Sequence, residues 1–307
     1  MNFQEQAQVF LANSTTRNRN PIKPSTVVAY QGRLKNHILP AIGSTDLESF
    51  GNGSMKTFAQ ALTRKGLGPK TVLETTTLVK LIMASACSPD GDFLFPRSWN
   101  HDFIDLPPVT AQKQPTLTPE QLKAALADKR YGLFYALLAG TGLRIGEALA
   151  LRYSLCGKKT AWSPNEALVD VRSSMWRGME GSPKTPSAVR QIDVYKDLNV
   201  LLKEHVRDLG LSPTDRDFVF ASSSNGWRLC ETTIRRDSLK PLGIEGFHTF
   251  RRFRLTHLRT QGVPEDLIKY WMGHAKVGVT DRYSKMAENI ELRKTWAEKA
   301  GLGFEIK

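Results

Sequence analysis

The sequence predicts a mainly α protein with a small antiparallel β-sheet, divided into an N-terminal helical domain and a C-terminal α+β domain. Three observations carry this. Apolar residues recur at helical spacing through most of the first hundred positions. Four prolines crowd the stretch from Asp105 to Pro119, which has little apolar content. Only after Arg152 does the apolar period shorten to that of strands. The expected division is residues 1–104, a linker over 105–117, and a second domain over 118–307.

The N-terminal elements follow from spacing and punctuation. Residues 3–12 fit a short helix, and Val27, Val28, Tyr30, Leu34 and Ile38 fit a second, with Ser25 as its cap and Pro40 as its stop. Ser54 to Lys65 reads as a helix ended by Gly66, and Pro69 opens another through Met83. In the second domain, Thr118, Pro119 and Gln121 form a capping-box signature ahead of Leu122. A helix from about Arg130 to Ala139, apolar on most sides, is expected to be buried. Residues 167–172 and 189–195 alternate as strands do, with Gly178 and Gly181 between them, and residues 217–222 read as a short strand. Helical patterns resume at 197–209, 231–239 and 249–261. They continue at 264–272, with Pro264 at the first position, and end with a helix over 287–299.

Charge narrows the partners. The 307 residues carry a formal net charge of +13, of which +4 lies in residues 1–104 and +9 beyond, so both domains are basic. A surplus of that size favours a polyanion, because Lys and Arg gain by releasing counterions from a nucleic-acid backbone. Cys87, Cys156 and Cys230 form no C-x-x-C pair and are expected to be buried thiols in a reducing compartment. The N-terminus lacks a signal-peptide pattern and no apolar run approaches the length of a membrane span, so a cytoplasmic protein with no membrane partner is expected.

The stretch from His248 to Tyr283 comes nearest to a chemistry. It opens on His-x-x-Arg, reaches Gly273-His274 after a helical segment, and places Tyr283 nine residues later. Cleaving a phosphodiester without a metal needs fixed donors on the non-bridging oxygens, and Arg251, His248 and His274 are of suitable types. Tyr283 can attack in line, although its hydroxyl, with an ordinary pKa of about 10, must lose its proton as it does so. One guanidinium cannot hold both oxygens from two sides. Arg144, just after the turn Gly140-Thr141-Gly142 and three residues before Glu147, supplies a second. In isolation the Arg144–Glu147 pair would be a surface ion pair worth under about 1 kcal/mol, and a lone His or Tyr would be structural.

Taken together, TGLRIGEALALR around Arg144, SPKTPSAVRQIDV around Lys184, HTFRR at 248–252, and MGH followed by Tyr283 resemble the tyrosine recombinases of the phage integrase family. Each motif alone is weak; their order and spacing over the C-terminal two thirds are specific. The resemblance implies a helical core-binding (SAM-like) domain followed by an α+β catalytic domain. It also implies cleavage and rejoining of double-stranded DNA through a covalent 3′-phosphotyrosine.

In the implied roles Tyr283 is the nucleophile, while Arg144, Arg251 and His274 hold the phosphate oxygens. His248 assists proton removal and Lys184 protonates the departing 5′ oxygen. Lys158 and Lys159 compete with Lys184 but lack its following Thr and Arg context, and Tyr270 lies on the wrong side of the Gly-His pair. No metal or other cofactor is implied, and a homotetramer on DNA is, with the C-terminal helix packing on its own domain or on a neighbouring subunit. Helical periodicity from residue 3 leaves no room for the extra N-terminal domain of larger members, so a two-domain recombinase is expected. A topoisomerase of the same chemistry and an inactive DNA-binding relative are the alternatives.

Overall fold

In a computed structural model the described residues are 1–19, 21–110, 114–153, 159–183, 185–212, 217–221, 229–274, 285 and 288–306. The chain forms two compact units, Met1–Lys113 and Gln114–Lys307, each around its own apolar core.

The first unit is helical. Its elements are α1 (Phe3–Thr16), α2 (Pro24–Arg33), α3 (Leu39–Ile42), α4 (Asn52–Arg64), α5 (Pro69–Ala84) and α6 (His101–Ile104). Phe3, Ile38, Phe50, Met55, Val72 and Ile82 are buried at its centre. Asn2 and Glu5 close a capping box on α1, whose start thereby satisfies two of the backbone donors a helix leaves open.

Pro40 does not stop the second helix. The chain passes from α2 through a π turn, Leu34–Ile38, in which the Leu39 N–H reaches back to the Leu34 carbonyl, and enters α3 with Pro40 in its first turn. The proline ring is tolerated at that junction, at the second position of α3.

The second unit begins with α7 (Pro119–Leu126), α8 (Gly132–Thr141) and α9 (Ile145–Leu149). Thr118 and Gln121 form the expected capping box on α7, and α8 is buried on nearly every side. The strands follow: β1 (Arg152–Tyr153), β2 (Ala161–Ser163), β3 (Leu168–Val171), β4 (Ser174–Trp176), β5 (Met179–Gly181) and β6 (Arg190–Asp193). They form a four-stranded sheet of order β1-β2-β3-β6 and a separate β4-β5 hairpin. Arg177 and Gly178, both at positive φ, make the two-residue turn of that hairpin, the geometry that matches strand twist.

The sheet is mixed and not purely antiparallel, because β1 runs parallel to β2. Alternation in a sequence reports which face a residue takes and carries nothing about strand direction. Residues 218–221 add isolated bridges and no strand, among them Phe218 to Arg152 beside β1.

Helices complete the unit: α10 (Lys196–Asp208), α11 (Glu231–Ile234) running into a π turn at Arg235–Leu239, α12 (His248–Thr260), α13 (Glu265–Met272) and α14 (Ile290–Ala300). Pro264 stands one position before α13 and not inside it. The last helix, α14, lies against β6 of its own chain, where buried Arg293 donates to Asp193 and Gln191. Among the described residues no helix is long and apolar enough to cross a membrane.

The cysteines depart from expectation. Cys87 and Cys230 are exposed, while Cys156 lies outside the described residues. Their neighbours Ala86 and Leu229 take the inward positions instead.

Candidate active site

The site is assembled at the ends of four helices, α8, α9, α12 and α13. Packing of α12 on α8 comes first: Phe250, wholly buried, stacks on Tyr135 with ring centroids 5.1 Å apart and planes 6° from parallel. That register carries Arg251, the next residue, to the C-terminus of α8. There Gly142, at φ +70°, turns the chain so that Leu143 points inward and Arg144 becomes the N-cap of α9.

Arg251 is 4% exposed. Its Nη1 donates to the Gly142 carbonyl at 2.7 Å and its Nη2 to the Met272 carbonyl, so one guanidinium joins the ends of α8 and α13. A guanidinium has five N–H groups, and these two bonds leave others for a ligand. Burial, then the charges of Arg144 and Arg190, push its pKa down to about 9, although Glu147 pulls the other way.

The turn after α13 is fixed by backbone geometry. Gly273 sits at φ +62° and the His274 N–H reaches the Lys269 carbonyl at 3.0 Å, a Schellman arrangement that glycine permits without steric cost. The Gly273 carbonyl accepts from Arg144 Nη2 at 3.4 Å, which brings the turn bearing His274 beside Arg144.

Glu147 holds the centre. It accepts the Arg144 backbone N–H at 3.0 Å and Arg144 Nη1 at 3.0 Å, and from β6 it accepts Arg190 Nη1 at 3.1 Å and Nη2 at 2.9 Å. Burial alone would raise the pKa of this carboxyl. The Arg190 and Arg144 hydrogen bonds and charges outweigh that and hold it below the ordinary value. Two guanidiniums thus share one carboxylate, and the charge of the same carboxylate is felt by a third, Arg251, leaving a local surplus of positive charge.

Both imidazoles lie within this field. The pKa of His248 is lowered by partial burial and then by Arg251, Arg252 and Arg144. That of His274 is lowered by partial burial and then by Arg251, Arg144, Arg190 and Arg259. Each is therefore neutral at pH 7, able to donate from one ring nitrogen and accept at the other.

Of the six residues singled out in the sequence, the structure brings together Arg144, His248, Arg251 and His274. Lys184 and Tyr283 lie outside the described residues. Of the competitors, Lys159 is paired with Glu180 at 3.4 Å and the Tyr270 hydroxyl accepts the Gln191 N–H at 3.1 Å, while Lys158 lies outside the described residues. His205 and His257 bond to the carbonyls of Val219 and Ala300, in structural roles.

A model described as the phage integrase family matches residues 115–289, more than half of the chain. The chain belongs to the phage integrase family. It is similar to a tyrosine recombinase XerC-like protein of Caldanaerobacter subterraneus subsp. tengcongensis, 22% identical over 288 residues that cover 84% of this chain and 73% of the relative. It is also similar to the ICEBs1 integrase of Bacillus subtilis, 25% identical over 281 residues covering 83% and 72%.

Among solved structures, the Tn1549 transposon integrase in complex with a circular intermediate DNA superposes with a TM-score of 0.68 at 18% identity, covering 94% of this chain and 99% of that one. A lambda integrase dimer bound to a COC′ core site gives 0.59 at 16% identity, covering 95% of each. These likenesses establish the fold. The phage integrase family is one of site-specific tyrosine recombinases, and this member shares that enzymatic class.

Sequence reasoning passed over Arg190 in this family member, treating it only as context for Lys184. A signal was present. Alternation puts Arg190 on the same strand face as Ile192, and an arginine on the apolar face of a strand must be buried and therefore partnered.

Proposed function

We propose that this chain cuts and rejoins double-stranded DNA at a specific site through a covalent 3′-phosphotyrosine at Tyr283. The observation that carries the reading is the surplus charge: Arg144 and Arg190 bond the single carboxylate of Glu147, and buried Arg251 lies within the same electrostatic field. Such a site lowers its energy by taking an anion. A phosphodiester whose non-bridging oxygens gain charge during attack suits it better still in the transition state than in the ground state.

Arg144 and Arg251 hold those oxygens with His274 as a third donor. His248, neutral at pH 7, takes the proton of the Tyr283 hydroxyl as it attacks, and Lys184 supplies a proton to the departing 5′ oxygen. The phosphotyrosyl bond keeps the energy of the linkage it replaces, so resealing onto a new 5′ hydroxyl requires no nucleotide. The helical first unit, basic by four charges over residues 1–104, serves as the core-binding domain on the duplex, and four copies assemble on two DNA sites.

The test is incubation with a nicked suicide duplex carrying the recombination site, followed by a denaturing gel. A protein–DNA adduct that disappears in Tyr283→Phe is expected. An adduct that survives this change places the nucleophile elsewhere. One formed equally on any nicked duplex assigns a topoisomerase.

A further inference from the structure

We propose that Arg190 is a positioning residue for DNA cleavage. From β6 it sets the Arg144 guanidinium through Glu147, and through the Trp271 carbonyl it sets the turn that presents His274. The inference rests on the reading above that Arg144 and His274 hold the scissile phosphate.

The side chain of Arg190 is 0% exposed, so it has no face to offer a phosphate. Each of its nitrogens is committed to protein. Nε donates to the Trp271 carbonyl at 2.6 Å, Nη1 to the Ala188 carbonyl at 2.8 Å and to Glu147 Oε1 at 3.1 Å, and Nη2 to Glu147 Oε2 at 2.9 Å. A planar fork bonded along two edges fixes the angle between the groups it joins, which a point charge cannot do.

Two consequences reach the phosphate site. Glu147 Oε1, which accepts from Arg190, is the same atom that accepts Arg144 Nη1, so the carboxylate plane set by Arg190 is the plane on which Arg144 rests. The aliphatic part of Arg190 also lies against the His274 turn. A Cβ added at Gly273 would stand 3.0 Å from Arg190 Cδ and 3.2 Å from the Ala188 Cα, so a larger residue fits only if these neighbours give way by a few tenths of an ångström. Without Arg190 the carboxylate keeps only Arg144 as partner and can rotate, and the turn loses its backing. A displacement of about 1 Å in a catalytic donor costs about 100-fold in rate.

Single-turnover adduct formation on the nicked suicide duplex, at saturating DNA, separates this from DNA binding, with the dissociation constant taken from mobility shifts. Arg190→Gln is expected to slow cleavage about 100-fold with an affinity within about 2-fold of wild type. Arg190→Lys should recover part of the rate, since it keeps the charge but not the fork. In an Arg144→Ala background, Arg190→Gln should cost far less than in wild type, because its main object is already gone.

Cleavage by Arg190→Gln at the wild-type rate overturns the proposal. So does an equal cost in the Arg144→Ala background, or a weaker affinity with an unchanged saturated rate. Should circular dichroism show Arg190→Gln unfolded, Arg190→Lys decides, and a wild-type rate there shows that the fork is not needed. Failure of the underlying reading looks different: wild type then forms no adduct, or Tyr283→Phe still does.

Discussion

Arg190 presents both terminal nitrogens to the two oxygens of Glu147, at 3.1 and 2.9 Å, across 43 residues of sequence and with both side chains buried. The same carboxylate holds Arg144, so removing its charge leaves two guanidiniums close together, that of Arg190 wholly buried. Glu147→Gln is expected to cost about 3 kcal/mol of stability in urea unfolding, as breaking one side of a buried ion pair does. Because the folded pKa of Glu147 lies below its ordinary 4.5, its contribution is complete above that value and is lost as the pH falls through the folded pKa. The stability gap between wild type and Glu147→Gln should therefore be level above about pH 5 and narrow in more acidic solution. A gap unchanged in acid would contradict it.

The histidines report the arginine field directly. Proton NMR titration of the DNA-free protein should place the midpoints of His248 and His274 below the 6.5 of an ordinary imidazole. Arg144→Gln should raise both, since its charge depresses both. Arg252→Gln should raise His248 alone. A midpoint above 6.5 for either would mean that the arginines do not share its space.

Gly273 and Gly66 provide a matched pair, at φ +62° and +78°. Alanine at Gly66 meets nothing within 4 Å and should cost only the left-handed backbone penalty of about 1 kcal/mol. Alanine at Gly273 bears the same penalty and also presses on Arg190 and Ala188. Gly273→Ala should lose more stability than Gly66→Ala and slow adduct formation at saturating DNA, whereas Gly66→Ala leaves the rate intact. Equal behaviour of the two would show that the His274 turn has slack.

The polar lattice under α14 should behave as one unit. Arg293, 3% exposed, donates to Asp193 Oδ2 at 3.0 Å, and Trp271 Nε1 donates to the same oxygen at 2.9 Å. Arg293→Met is expected to cost about 3 kcal/mol in urea unfolding by leaving that carboxylate short of a charge partner. Adding Asp193→Asn should return part of the loss, because the uncompensated charge is then gone. Additive losses would mean the two residues are energetically independent.

Much of this could be read from sequence because its causes are local. The capping box of Thr118 and Gln121, the end of the helical segment at Gly273 and the buried run of α8 depend on residues within a turn or two, and all three stand as expected. The arginine–glutamate spacing at Arg144 and Glu147 is likewise one helical turn, and it forms the expected pair. Pro40 was misleading because the helical path continues past it, through a π turn that sets the proline in the first turn of α3. The direction of β1 and the exposure of Cys87 and Cys230 depend on neighbours that no local pattern names.

By itself the sequence determined the family, the order of the motifs and the residue types available to grip a phosphate. Tertiary structure alone decided that Arg251 reaches Gly142 over 109 residues, that Arg144 reaches Gly273 over 129, and that Arg190 stands behind both. Hydrogen-bond geometry needs atoms within about 3 Å at defined angles. Periodicity and capping fix the chain only over a turn or two, so the distance between remote side chains is set when the helices and the sheet pack.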